Sequence, residues 1–209
     1  MNYIIIGLLV IIIVLVIISI VKNVNESNIT ERLDNLKKTI QEDDFLQGKG
    51  LSNEVNIRMF CYNVKEEMDV RYFTEHLSND DLTCNVQIVD LYETFLSICE
   101  DKRILDRIPQ LEQRKGKDFL EKQFEKTCNS EVFAKKIVDI FVDSNDLLLI
   151  TGVGKAFPFM RVHALLNALQ ENFNKKPIIV LYPGTFDGHY VKLFNKLKSN
   201  EYYRAFNMI

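Results

Sequence analysis

The stretch LLLITGVGKAFPFMRVHALLNAL, Leu147–Leu169, holds the residues best placed to do chemistry. An apolar run meets a turn with Gly152, Gly154 and Lys155, and a helical pattern opens near Pro158. A helix start after a glycine turn attracts anions, because its N–H groups are free and the macrodipole is positive there. A nucleotide loop demands more. If Gly154-Lys155 closed a GxxxxGK[ST] loop, its first glycine would fall on Leu149 and its metal-holding hydroxyl on Ala156. A GxGxxG fingerprint would need glycine at Phe157. Both patterns fail, so the expectation is a strand-to-helix turn that attracts at most a weak anion. Arg161 and His163 lie in the following helix, either facing the sheet end beside Lys155 or on a solvated face with Asn167 and Gln170.

YPGTFDGHY is the second candidate. Asp187 suits a turn, and His189 carries an imidazole that titrates near pH 6.5 when unperturbed. If both loops leave neighbouring strands, then Gly152, Gly154, Lys155, Arg161, His163, Asp187 and His189 line one candidate ligand-binding cleft. His76, His163 and His189 are far apart and no cysteine pair supports them, so no metal is expected. There is no GxSxG and no Ser/His/Asp set that spacing supports, so no catalytic residue and no cofactor are assigned.

The elements that must carry these residues alternate. Asn28 precedes a helical stripe of Ile29, Leu33, Leu36 and Ile40, with Glu31 in capping-box position. Residues 55–62 read as a first strand. The helix after it has Met68, Tyr72 or Phe73, and Leu77 facing inward. CNVQIVDL is a second strand running into a helix, and about 103–142 is a helical insertion broken near Pro109 and Gly116. DLLLIT is too continuously apolar for a half-exposed strand and should be central. Pro158 reads as the first position of a helix whose buried stripe is Val162, Leu165, Leu166, Leu169 and Phe173. KPIIVLYPG is a fourth strand, TFDGHYVKLFNKLKSN a loop ending as a short helix, and YYRAFNMI a last, edge strand. The fold class is therefore α/β, with a mostly parallel four- or five-stranded sheet flanked by helices.

The first twenty-one residues carry no charged side chain, and from Tyr3 to Val21 only Gly7 and Ser19 interrupt the apolar run. Nineteen residues of helix span roughly 28 Å, close to the hydrocarbon thickness of a bilayer. A signal peptide would want a basic start and a cleavage site, so the reading is a transmembrane anchor at 1–22, a linker at 23–29 and a domain at 30–209. Lys22, Arg32, Lys37 and Lys38 follow the span and no positive side chain precedes it, which puts the domain in the cytoplasm at the inner membrane. Cys61, Cys84, Cys99 and Cys128 form no CxxC pair and read as reduced, mostly buried thiols. Residues 23–150 carry 17 Lys+Arg and 26 Asp+Glu, while 151–209 carry 8 and 3. Overall acidity argues against bulk nucleic-acid affinity. Lys192, Lys196, Lys198 and Arg204 form a basic face that either contacts DNA or balances charge within the molecule.

ERLDNLKKTIQEDDFLQGKGLSNEVNIRMFCY, the glycine turn with FPFMRVH, PIIVLYPGTFDGHYVKLFNKL and NEYYRAFNMI together resemble the BrxB family, small proteins of the BREX bacteriophage-defence systems. The resemblance runs from Thr30 to the end. It implies a place in a multi-protein complex with an ATPase, a DNA methyltransferase and a phosphatase-like component. It implies no chemistry for this component, so a membrane-tethered, non-catalytic adaptor is the first functional reading. A ligand- or nucleotide-binding module at the 152–157 and 183–189 loops is the other.

Overall fold

The computed structural model describes residues 28–49, 56–170, 173, 176–187, 189–198 and 205–208. The expected anchor at 1–22 and nearly all of the linker lie outside them. Among the described residues no helix is long and apolar enough to cross a membrane.

Five parallel strands lie in the order β2–β3–β4–β1–β7. They are β1 (Ile57–Tyr62), β2 (Val86–Asp90), β3 (Leu147–Thr151), β4 (Ile178–Phe186) and β7 (Phe206–Asn207). β4 then folds back antiparallel through β5 (Val191–Leu193) and β6 (Leu197–Lys198). The helices are α1 (Ile29–Thr39), α2 (Asp43–Leu46), α3 (Glu67–Glu75), α4 (Leu91–Asp101), α5 (Ile108–Lys115), α6 (Lys117–Thr127), α7 (Ser130–Ile140), α8 (Val153–Ala156) and α9 (Val162–Gln170).

Period-two alternation divides the sheet between two cores. Phe60, Tyr62, Leu147, Leu149, Ile179 and Leu181 pack with Ile29, Leu33, Leu36 and Ile40 of the α1 segment and Val70 of α3. Met59, Leu148, Ile150, Val180 and Tyr182 pack with α4, α6, α7 and α9 on the other face. β3 lies between β2 and β4 with Leu147–Ile150 fully buried, as a continuous apolar run requires. The helical segment near 103–142 is no appendage. Leu120 and Phe124 of α6 and Phe133 and Ile137 of α7 belong to the second core. Gly116 separates α5 from α6 at φ 80°. Cys84, Cys99 and Cys128 are buried, Cys61 is half-buried, and all four are free thiols.

Among the described residues β7 pairs with Arg58 and Met59, at the start of β1. Further along the strand the Arg32 guanidinium donates to the Cys61 carbonyl and stacks over the Phe60 ring.

Several sequence expectations are corrected. Asn28 caps α1 through the Thr30 N–H, with no capping box to Glu31, and the helix stops at Thr39 before the short α2. Met68 and Tyr72 do not face inward: they are 69% and 64% exposed, while Val70, Phe73 and Leu77 turn to the sheet. The apolar residues of this segment fall on two faces, and the sheet selects the one with Val70. Pro158 does not open a helix. It follows a cis Phe157–Pro158 bond between α8 and α9, and Phe157 adopts ψ 136°, the extended conformation that a following proline favours. Among the described residues after Phe186 there is no helix. Val191 and Leu193 are buried and Lys192 is exposed, an alternation that suits a strand.

Candidate functional site

The carboxyl ends of the parallel strands bring together Tyr62, Asp90, Thr151 with Gly152, and Pro183. Ligands gather at this edge in open α/β sheets. Asp90 is its busiest side chain. Oδ1 accepts the Tyr92 and Glu93 N–H groups at 2.8 and 3.2 Å and so caps α4. Oδ2 accepts Lys155 Nζ at 2.7 Å, with the two side chains 20% and 31% exposed. Gly152 takes φ 72°, and a Cβ there would stand 2.3 Å from Asp90 Oδ1. Glycine is required here twice, for its left-handed backbone and for the carboxylate beside it.

Gly154 is explained by packing. A Cβ on it would lie 2.9 Å from Phe194 Cε1 and 3.3 Å from Pro183 Cγ. The glycine turn is thus occupied by the protein itself: Asp90 at its entrance, the β4–β5 hairpin over its middle, and Lys155 paired. Gly152 leads directly into a short helix, α8.

A second polar group stands at the end of β1. Tyr62 Oη donates to Glu67 Oε2 at 2.6 Å, and Glu67 Oε1 lies 3.4 Å from Arg71 Nε. Burial pushes the Tyr62 phenol up, the hydrogen bond to Glu67 adds to this, and the charge of Asp90 contributes. The two groups therefore share one electrostatic environment, in which Tyr62 is a neutral donor.

The remaining sequence candidates occupy separate local settings. Arg161 is exposed and its carbonyl accepts the Leu165 N–H at the start of α9. His163 sits 3.4 Å from Asn167 on the outer face of that helix. Asp187 accepts the His189 and Tyr190 N–H groups at 2.9 and 2.7 Å and so closes the β4–β5 turn. That turn is three ladder positions beyond Gly184, about 10 Å of strand. Lys192 and Lys196 are exposed, and Lys192 stands opposite Lys198 in the β5–β6 ladder. Arg204 lies outside the described residues. No group of three metal-ligating side chains occurs among the described residues.

Asp90, Tyr62, Glu67 and Arg71 were not among the sequence candidates. For Asp90 a signal exists: an aspartate that ends a strand and directly precedes a helix is both a cap and a resident of the carboxyl edge. For the other three, only the rotation of α3 brings them together, and no spacing rule gives it.

Comparison with known proteins agrees with the resemblance read from the motifs. The family model described as BREX protein BrxB matches residues 87–208. A curated relative from Bacillus cereus (strain H3081.97), "BREX protein BrxB", is 39% identical over 189 residues, covering 87% of this chain and 97% of its own. A second of the same name, from Escherichia coli O9:H4 (strain HS), is 29% identical over 183 residues, covering 85% of this chain and 90% of its own. No solved structure matches the chain. The chain belongs to the BrxB family of BREX phage-defence systems.

Proposed function

We propose that this BrxB protein is a non-catalytic adaptor that holds other components of its BREX system together, tethered to the inner membrane by its first twenty-two residues with the folded domain in the cytoplasm. The observation that carries the adaptor reading is the Lys155–Asp90 pair behind Gly152. The lysine of the turn is neutralised by a carboxylate that is also fixed as a helix cap, so a triphosphate would have to displace it. The partners proposed are the ATPase, the methyltransferase and the phosphatase-like component of the system. Direct DNA contact through Lys192, Lys196, Lys198 and Arg204 is a subordinate proposal. Duplex DNA binding that barely changes with salt would sink it.

Affinity purification of the full-length protein from detergent extract, followed by mass spectrometry, tests the main reading. Expected is recovery of other BREX proteins together with no turnover of nucleotide or nucleic acid. Turnover that disappears in Lys155→Ala or Asp187→Ala would overturn it. A ligand-binding alternative has one supporting observation: Pro183 and Phe194 pack on Gly154, so the two loops do adjoin. A thermal shift with nucleotides or inorganic phosphate that is lost in Lys155→Ala would favour it.

A further inference from the structure

Helix α3 is apolar on two sides. Val70, Phe73 and Leu77 face the sheet. Met68 and Tyr72 stand one turn apart on the opposite side, 69% and 64% exposed, and Val64, 41% exposed, lies in the 3-10 turn that leads into the helix. The stripe gains another turn because the Tyr72 ring stacks on His76, with centroids 4.0 Å apart. A soluble helix ordinarily turns charge outward in such positions. A row of exposed apolar and aromatic side chains marks an interaction surface, and methionine and tyrosine suit one well.

The charge around the stripe selects the occupant. Glu66, Glu67, Asp69 and Glu75 stand in the segment 63–76 against Lys65 and Arg71. Arg71 is engaged with Glu67, which also holds Tyr62, so neither is available to a newcomer without cost. Asp69 and Glu75 are exposed. An apolar row between acidic margins complements a helix with an apolar stripe and lysine or arginine on its flanks, read at i, i+4 and i+8.

We infer that the outer face of α3 docks a basic amphipathic helix of another protein of the complex. This rests on the adaptor reading and names the chemistry of one partner. Tyr72 is the anchor, Met68 fills the middle of the contact, and the acidic margin gives orientation and a salt-dependent encounter.

The test places a photo-crosslinking benzoylphenylalanine at Tyr72 of the full-length protein in its native complex, with the same residue at exposed Asp139 as control. Expected is a cross-link from position 72 to a peptide of another protein, with apolar residues three or four apart and basic residues in excess. A peptide of this chain itself, an acidic peptide, or no cross-link from a complex that still co-purifies would each overturn the inference while leaving the adaptor reading intact. If no defence protein co-purifies at all, the adaptor reading fails first. A Met68→Ser/Tyr72→Ser variant should keep the parent's unfolding midpoint, since both side chains are exposed, and lose at least about tenfold in affinity for that partner. Parent binding should also weaken between about 0.05 and about 0.5 M salt. Unchanged affinity in the variant, or binding indifferent to salt, overturns the proposal.

Discussion

Gly152 and Lys155 are close in sequence but answer to different forces. Gly152→Ala would hold a non-glycine residue at φ 72° and drive its Cβ into Asp90 Oδ1. The backbone term alone is about 1–3 kcal/mol, so the expected loss is at least about 2 kcal/mol in urea unfolding. Gly154→Ala meets the edge of the Phe194 ring, which can yield, and should cost less, about 1 kcal/mol. Asp90 separates two roles in one side chain. Asp90→Asn keeps a good cap and loses only a partly exposed ion pair, an effect of about 1 kcal/mol or less. Asp90→Ala loses the α4 cap as well and should be destabilised by about 1 kcal/mol more. Equal losses in the two variants would refute the capping role. Titration supplies another check at this scale. Burial pushes the Cys61 thiol up to about 12, and burial with the Glu67 hydrogen bond pushes the Tyr62 phenol above its ordinary value. Groups whose pKa is raised by folding contribute stability that is complete below their unfolded pKa and is lost as pH rises toward the folded one. Stability should therefore fall as pH climbs above about 9, where the unfolded thiol begins to ionise, and more steeply above about 10. The fall from the thiol should be smaller in Cys61→Ala; an identical alkaline limb in both proteins would contradict this.

At the scale of elements, what the sequence made legible is what depends on local pattern. The apolar run of β3 announces a central strand, the period of α9 announces its buried stripe, and Asn28 announces a helix start. What was illegible depends on choices between faces. α3 carries apolar residues on two opposite faces, and only the sheet decides that Val70 rather than Met68 is inside. The β5–β6 hairpin read as a helix because Val191, Phe194 and Leu197 sit at helical spacing, while its strand signal is three residues long. The helical segment before β3 was legible as helices but not as core. There, Phe124 of α6 meets the edge-on pair Phe95 and Phe159 at centroid distances of 5.1 and 5.4 Å, and Phe95 and Phe159 stack at 4.7 Å. Phe159 belongs to the turn that joins α8 to α9, so α6 braces the turn from behind the sheet edge. Phe124→Ala should cost about 3–5 kcal/mol, a core loss; Phe124→Leu, which keeps apolar volume but loses the ring geometry, about 1–2 kcal/mol. If Phe124→Ala unfolds at the parent's midpoint, the segment is a removable appendage after all.

At the scale of the whole molecule, the folded domain follows an apolar segment, Tyr3–Val21. The Bacillus cereus relative leaves 13% of this chain unmatched while 97% of its own length is covered, so this chain carries length that relative does not. Asn28 caps α1 and Ile29 is already in the first core. If the first twenty-two residues insert in a membrane as proposed, residues 23–28 reach at most about 20 Å beyond them. A chain starting at residue 28 should keep its cap and both cores and unfold at nearly the same denaturant concentration. The full-length protein should pellet with membranes through alkaline and high-salt washes and dissolve only in detergent, whereas the shortened one stays in the supernatant. Protease added to spheroplasts should spare the domain, and protease added to inverted vesicles should digest it. A full-length protein that washes off in salt would be a peripheral one, held by its lysines alone. Its recruitment to the membrane would then rest on its partners.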